Sequence, residues 1–76
     1  MQPIHRIQWR DAHDVGAGTW VDPTAQSFTS MAITSIGWIV HEDNDVVVLA
    51  STLAEGGEVR GAFVIPKSAI RARDII

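Results

Sequence analysis

Seventy-six residues with a formal net charge of −3 make one small domain whose own core is only marginally sufficient, and the absence of cysteine excludes both disulfide staples and thiolate metal sites as a supplement. The acidic balance argues against strong sequence-independent binding to duplex DNA. No apolar stretch approaches the roughly 18 residues that cross a membrane, and residues 1–10 lack the apolar core of a signal peptide, so no membrane contact and a cytoplasmic location are expected.

The net charge hides a segregation. Residues 1–10 carry two arginines and no acid, residues 11–59 eight acids and no base, and residues 60–76 four bases and one acid. Any anionic partner is therefore expected at a surface built from the two ends of the chain.

Along the chain, Pro3 to Arg10 reads as a strand with Ile7 and Trp9 on one face and Ile4, Arg6, Gln8 and Arg10 on the other. Residues 11–18 form an Asp-, His- and Gly-rich loop, and Asp22-Pro23 matches the N-cap and first turn of a short helix over Pro23 to Phe28. Ile33 to Glu42 is β-branched and contains Trp38, with Gly37 as a bend, bulge or point of close approach. The Glu42-Asp43-Asn44-Asp45 run is turn chemistry leading into a strand over Val46 to Leu53. Gly56-Gly57 then marks a hairpin into Val59 to Ile65. Pro66 lacks a ladder donor, so Pro66 to Ala69 should leave the sheet as a 3₁₀ turn before a closing strand, Ile70 to Ile75.

The expected fold is thus all-β: a small antiparallel barrel of about five strands, in the order seen in SH3-like and Sm-like barrels, with a 3₁₀ turn before the last strand and at most one short helix. In that order the first and last strands lie side by side, and Arg6 and Arg10 approach Arg71 and Arg73 as a basic edge. Ile36 to Val40 and Val46 to Leu49 are apolar on both alternating faces, whereas a lone small barrel keeps one face wet. Cover is expected partly from the loop around Trp20 and partly from another subunit, making the protein a homo-oligomer.

Candidate chemistry is sparse. Asp11, His13 and Asp14, with His5 nearby, offer metal-ligand types at a spacing that matches no metal motif; turn formation is the simpler reading. Gly16-Ala17-Gly18 opens no long helix and is a weak phosphate cradle. Ser51, His41 and Asp43 are the residue types of a nucleophilic triad without its spacing, so no catalytic residues, no metal and no cofactor are assigned. Trp9, Trp20 and Trp38 are many for so short a chain, and tryptophans that do not fill a core can stack on a base while an arginine holds the phosphate. The candidate ligand residues are Trp9, Arg10, Trp20, Trp38, Arg60, Lys67, Arg71 and Arg73.

The runs Ser35 to Val40, Val46 to Ser51 and Val64 to Ile70, together with Trp9-Arg10-Asp11 and Trp20, resemble a group of small bacteriophage and prophage proteins. The resemblance carries no catalytic residues with it. It implies phage origin, expression in the host bacterial cytoplasm and a β-barrel that assembles, and by analogy an oligomeric sponge that sequesters a small anionic nucleotide-like signal of host immunity. The alternatives are an adaptor engaging a host or virion protein, and an Sm-like binder of single-stranded RNA.

Overall fold

A computed structural model describes residues 2–25 and 27–76. The chain runs β1 (Ile4–Asp11), β2 (Met31–Glu42), β3 (Val46–Ala50), β4 (Thr52–Leu53), β5 (Val59–Arg60), β6 (Phe63–Pro66), a 3₁₀ turn (Lys67–Ala69) and β7 (Ile70–Ile75). Five strands form one antiparallel sheet in the order β6-β3-β2-β1-β7, and β4 pairs with β5 in a separate two-stranded arm. The first and last strands are neighbours, as the element order requires, with Arg6 opposite Asp74 and Ile7 opposite Arg73. No helix among the described residues is long and apolar enough to cross a membrane.

Period-two alternation sets the two faces. Ile7 and Trp9 from β1, Val47 and Leu49 from β3 and Ile65 from β6 form the buried cluster, with Ile33, Ile39, Ala69 and Ile70 packed against it. Each fully buried aliphatic side chain contributes about 1.5–3 kcal/mol before chain entropy is set against it. Gly37 is a close-approach glycine: a Cβ there would lie 2.5 Å from the Ala50 carbonyl oxygen. The bulge in β2 falls instead between Ile39 and His41.

Several expectations are corrected. The strand over Val46 to Leu53 breaks at Ser51, and its partner breaks at Gly61, which adopts φ +69° where a Cβ would collide with the Ser51 side chain. Pro66 does not leave the sheet; it is the last residue of β6, registered with Val46, and it is tolerated because β6 is an edge strand. No helix forms over residues 23–25 and 27–28, and Gln26 lies outside the described residues. The Asp22 carboxylate accepts from the Thr24 backbone N–H at 3.0 Å, and the Asp22 carbonyl accepts from the Ala25 N–H at 3.1 Å, so the capping residue closes a turn on itself. Trp20 covers no part of the sheet, since it is fully exposed.

The end of β2 is tied by side chains to β7 and to the 3₁₀ turn. Glu42 at the end of β2 accepts two hydrogen bonds from Arg73 at 3.1 and 3.2 Å and pairs with Lys67 at 2.9 Å. The Lys67 backbone N–H reaches the Asp45 carbonyl at 2.8 Å.

Candidate functional site

The outer face of the sheet, turned away from the core, has two chemically different halves. Registered pairs define it: Val64 with Val48, then Ala50, Trp38 and Ile4 across three strands, then Ile36, Arg6 and Asp74, then Thr34, Gln8 and Ala72, and finally Ala32 with Arg10. Ala50 is buried yet lies outside the core cluster, as this face assignment requires. The rows from Val64 to Ile36 are mostly apolar, with exposed His41 opposite Val48 at their outer end, and those from Thr34 to Arg10 are polar with one arginine. Arg6 and Asp74 divide them, Nε lying 3.1 Å from Oδ1 while Nη2 pairs with Oδ2. The Arg6 hydrogen bonds hold the Asp74 carboxyl below its ordinary range.

The cationic half contains a concavity of about 240 Å³ lined by Gln8, Arg10, Ala32, Thr34 and Arg71, with Trp9 and Ile33 between them in sequence also bordering it. Arg71 owes its place to a register shift between β1 and β7. Gln8 pairs with Ala72 but Trp9 pairs with Ile70, so Arg71 is the extra residue of a bulge. A bulge re-aims the side chain it carries, and here it puts Arg71 on the same concavity as Arg10. The Arg10 Nη1 donates to the Ser30 carbonyl at 3.2 Å and the Arg71 Nη1 to the Ser68 carbonyl at 3.1 Å. The ion pairs of the described residues engage Arg6, His41, Lys67 and Arg73, and neither Arg10 nor Arg71 takes part in one. Each guanidinium therefore keeps donors that are not spent on a carboxylate.

Of the candidate ligand residues, the structure brings Trp9, Arg10 and Arg71 together and disperses the rest. Trp9 is 5 % exposed, its Nε1 donates to Ser35 Oγ at 3.0 Å, and its ring meets Phe63 edge-on at 5.7 Å, so its side chain belongs to the core side of the sheet and has no face free for stacking. Trp20 stands alone in the loop, fully exposed. Trp38 lies in the apolar half, half-buried, with Nε1 buried and unpartnered. Arg60 lines a separate hollow on the arm with Thr52, Ala54, Glu58 and Val59. The expected basic edge of Arg6, Arg10, Arg71 and Arg73 does not form as a set, because Asp74 takes Arg6 and Glu42 takes Arg73 and Lys67. With the Arg73 and then the Lys67 hydrogen bonds acting on it, the Glu42 carboxyl falls to about 2.

Gln8, Thr34 and the bulge itself are the parts that sequence reasoning missed. The alternation of β1 already placed Gln8 beside Arg10, but nothing in the order of residues 70–72 announces a bulge.

The remaining clusters are accounted for locally. The His13 Nε2 lies 2.8 Å from the Thr29 carbonyl, and no group of metal-binding side chains occurs among the described residues. Positive φ at Gly16, Ala17 and Gly18 closes a tight turn with the Thr19 N–H on the Gly16 carbonyl at 2.9 Å. Ser51 Oγ donates to the Arg60 carbonyl at 3.3 Å, whereas His41 pairs with Asp43 at 2.8 Å, so these three do not converge. Asp43 also accepts the Asp45 and Val46 N–H groups; the His41 bond first, then these two, bring its carboxyl to about 2.

Compared with models of known families, with curated proteins and with solved structures, the chain matches none.

Proposed function

We propose that the protein is a non-catalytic binder of a small anionic, phosphate-bearing ligand of the nucleotide class, held in the concavity of Arg10 and Arg71. The observation that carries this reading is the β7 bulge, which places a second guanidinium without a carboxylate partner beside the first. Two such forks suit the oxygens of one phosphate or of adjacent phosphates, and Gln8 and Thr34 supply neutral hydrogen-bonding groups for a sugar hydroxyl. A volume of about 240 Å³ suits a phosphate with part of a sugar. The base then lies outside it, over the exposed β1 and β2 surface.

In this reading the sheet is a small barrel whose β6–β7 seam is held by Glu42, Lys67 and Arg73. The resemblance to phage and prophage proteins supports a wider role, the sequestration of a host signalling nucleotide in the bacterial cytoplasm.

Calorimetry against cyclic and linear nucleotides, pyrophosphate and a short single-stranded RNA tests the proposal. Saturable binding of a nucleotide is expected, weakened about tenfold or more in Arg10→Ala and in Arg71→Ala, the loss of a charged hydrogen bond, and unchanged in Arg60→Ala. A flat response to every nucleotide overturns it. So does binding of RNA alone, or binding that survives both substitutions.

A further inference from the structure

We infer that the apolar half of the outer face is a dimerisation surface, mating with the same half of a second copy of this chain about a two-fold axis. The first argument is area. The chain exposes 5746 Å², whereas a folded monomer of its mass, 8.3 kDa, exposes roughly 4,600 Å². The excess of roughly 1,100 Å² is of the size that a standard interface removes from each partner, about 800 Å². The radius of gyration, 15.8 Å, likewise exceeds the roughly 11 Å of a compact chain of this length. The segments 12–25 and 27–30 and the β4–β5 arm are exposed almost throughout and carry part of that excess, and the exposed Ile4, Ile36 and Val64 of the outer face carry another part.

The second argument is what the face is made of. Ile4, Ile36 and Val64 are 37 %, 56 % and 59 % exposed, and they lie with half-buried Trp38 and Val48 on registered neighbouring strands from β6 to β1. Single exposed apolar residues need no explanation, but a registered set across four strands does. Among the described residues the core is small, five buried side chains with Ile33, Ile39, Ala69 and Ile70 packed against them, in a chain that has no cysteine to staple it.

The third argument selects the partner. Both rims of the patch are charge pairs already satisfied within the chain, Arg6 with Asp74 on one side and His41 with Asp43 on the other. A charged partner finds no complement there, while an uncharged apolar surface does. A second copy presents such a surface, and an isologous contact closes without exposing a further face. The inference does not depend on the ligand reading, because Arg10 and Arg71 lie beyond the Arg6–Asp74 divide.

Sedimentation equilibrium of the full chain at micromolar concentrations is expected to give twice the chain mass. Ile36→Lys and Val64→Lys alter side chains that are exposed in the protomer; both should keep the β-type circular dichroism and sediment as monomers, with association weakened about a hundredfold or more, as expected when an unpaired charge enters an interface core. Leu53→Lys on the arm should leave the dimer intact. On the unsubstituted protein, a soluble gadolinium chelate should fail to relax the Ile36 and Val64 methyl groups at high concentration and should relax them on dilution. A wild-type monomer throughout overturns the inference. Dissociation by Leu53→Lys in place of the face variants, or methyl groups open to the chelate at every concentration, does the same.

Discussion

The two halves of the outer face share strands, pleat and backbone, yet they pose opposite problems. Between Ile36 and Val64 the side chains are mostly apolar and several are exposed, and toward Arg10 two guanidiniums, Arg10 and Arg71, stand without a carboxylate partner among the described residues. The divide is one residue deep on β1: Arg6 finds Asp74 opposite it, and Arg10 finds Ala32. Strand geometry decides only which face a residue joins; the identity at every second position decides what that face can do. One sheet therefore offers two surfaces without a cleft between domains.

The largest expected effect comes from the element the halves share. Ile7 is fully buried and lies on β1 between Arg6 and Gln8, so Ile7→Ala should cost about 2–5 kcal/mol in urea denaturation and impair both halves together. Loss of one half with the other intact would show that the halves are stabilised separately. Gly37→Val ranks next. Its Cβ would press on the Ala50 carbonyl, which is backbone and cannot swing aside, so a loss of about 1–3 kcal/mol is expected. Hydrogen exchange should rise first in β3 and β6, which depend on the β2–β3 ladder, while β1 and β7 keep their protection.

Much of this arrangement is legible in the residues themselves. Alternation in β1 separates Ile7 and Trp9 from Gln8 and Arg10, although the sequence also offers Trp9 as a ligand residue and the structure puts it in the core. Gly56-Gly57 and Pro66 to Ile70 announce the hairpin and the turn before the last strand, but the hairpin turn is not a primed one: the Gly57 N–H closes on the Ala54 carbonyl at 3.0 Å and only Gly57, after the turn, takes positive φ, +94°. What is not legible depends on residues distant in sequence. Whether Arg6 is free is decided by Asp74, 68 positions away, and whether Arg73 is free is decided by Glu42. The Arg71 bulge is a mismatch between two strands, so neither strand shows it alone. At Pro23 the cap signal is present, but the Asp22 carboxylate spends itself on a local turn.

A smaller effect tests whether the cationic half needs forks or merely charge. Arg71→Lys keeps the charge on the bulge and loses the planar pair of donors, so nucleotide affinity should fall less than in Arg71→Ala but measurably. The melting temperature should stay at the wild-type value, because the Arg71 side chain is exposed and its one bond goes to the Ser68 carbonyl. Equal affinities for the lysine and arginine forms would reduce the site to a point charge, and the contrast with the apolar half would then be one of charge alone.

The smallest expected effect concerns acid. The Glu42 carboxyl titrates at about 2 in the folded chain against an ordinary 4.5, and the Asp43 carboxyl at about 2 against 3.8. A depressed folded value means that the unfolded chain takes up protons first as pH falls. The stabilisation from each group is therefore complete above its ordinary value and is lost progressively on the way down to about pH 2. Both groups are exposed, so solvent screening keeps the change modest. Thermal melts from about pH 5 to about pH 2 should show a falling midpoint, and Glu42→Gln should flatten part of that fall by removing the charge that Arg73 and Lys67 hold. Because Glu42 ties β7 and the 3₁₀ turn to the end of β2, the acid response should reach the bulge that positions Arg71 before it reaches Val48 and Val64. If nucleotide binding and self-association decline in step through this range, the Glu42 contact supports the whole sheet; if binding declines first, it supports the cationic half specifically.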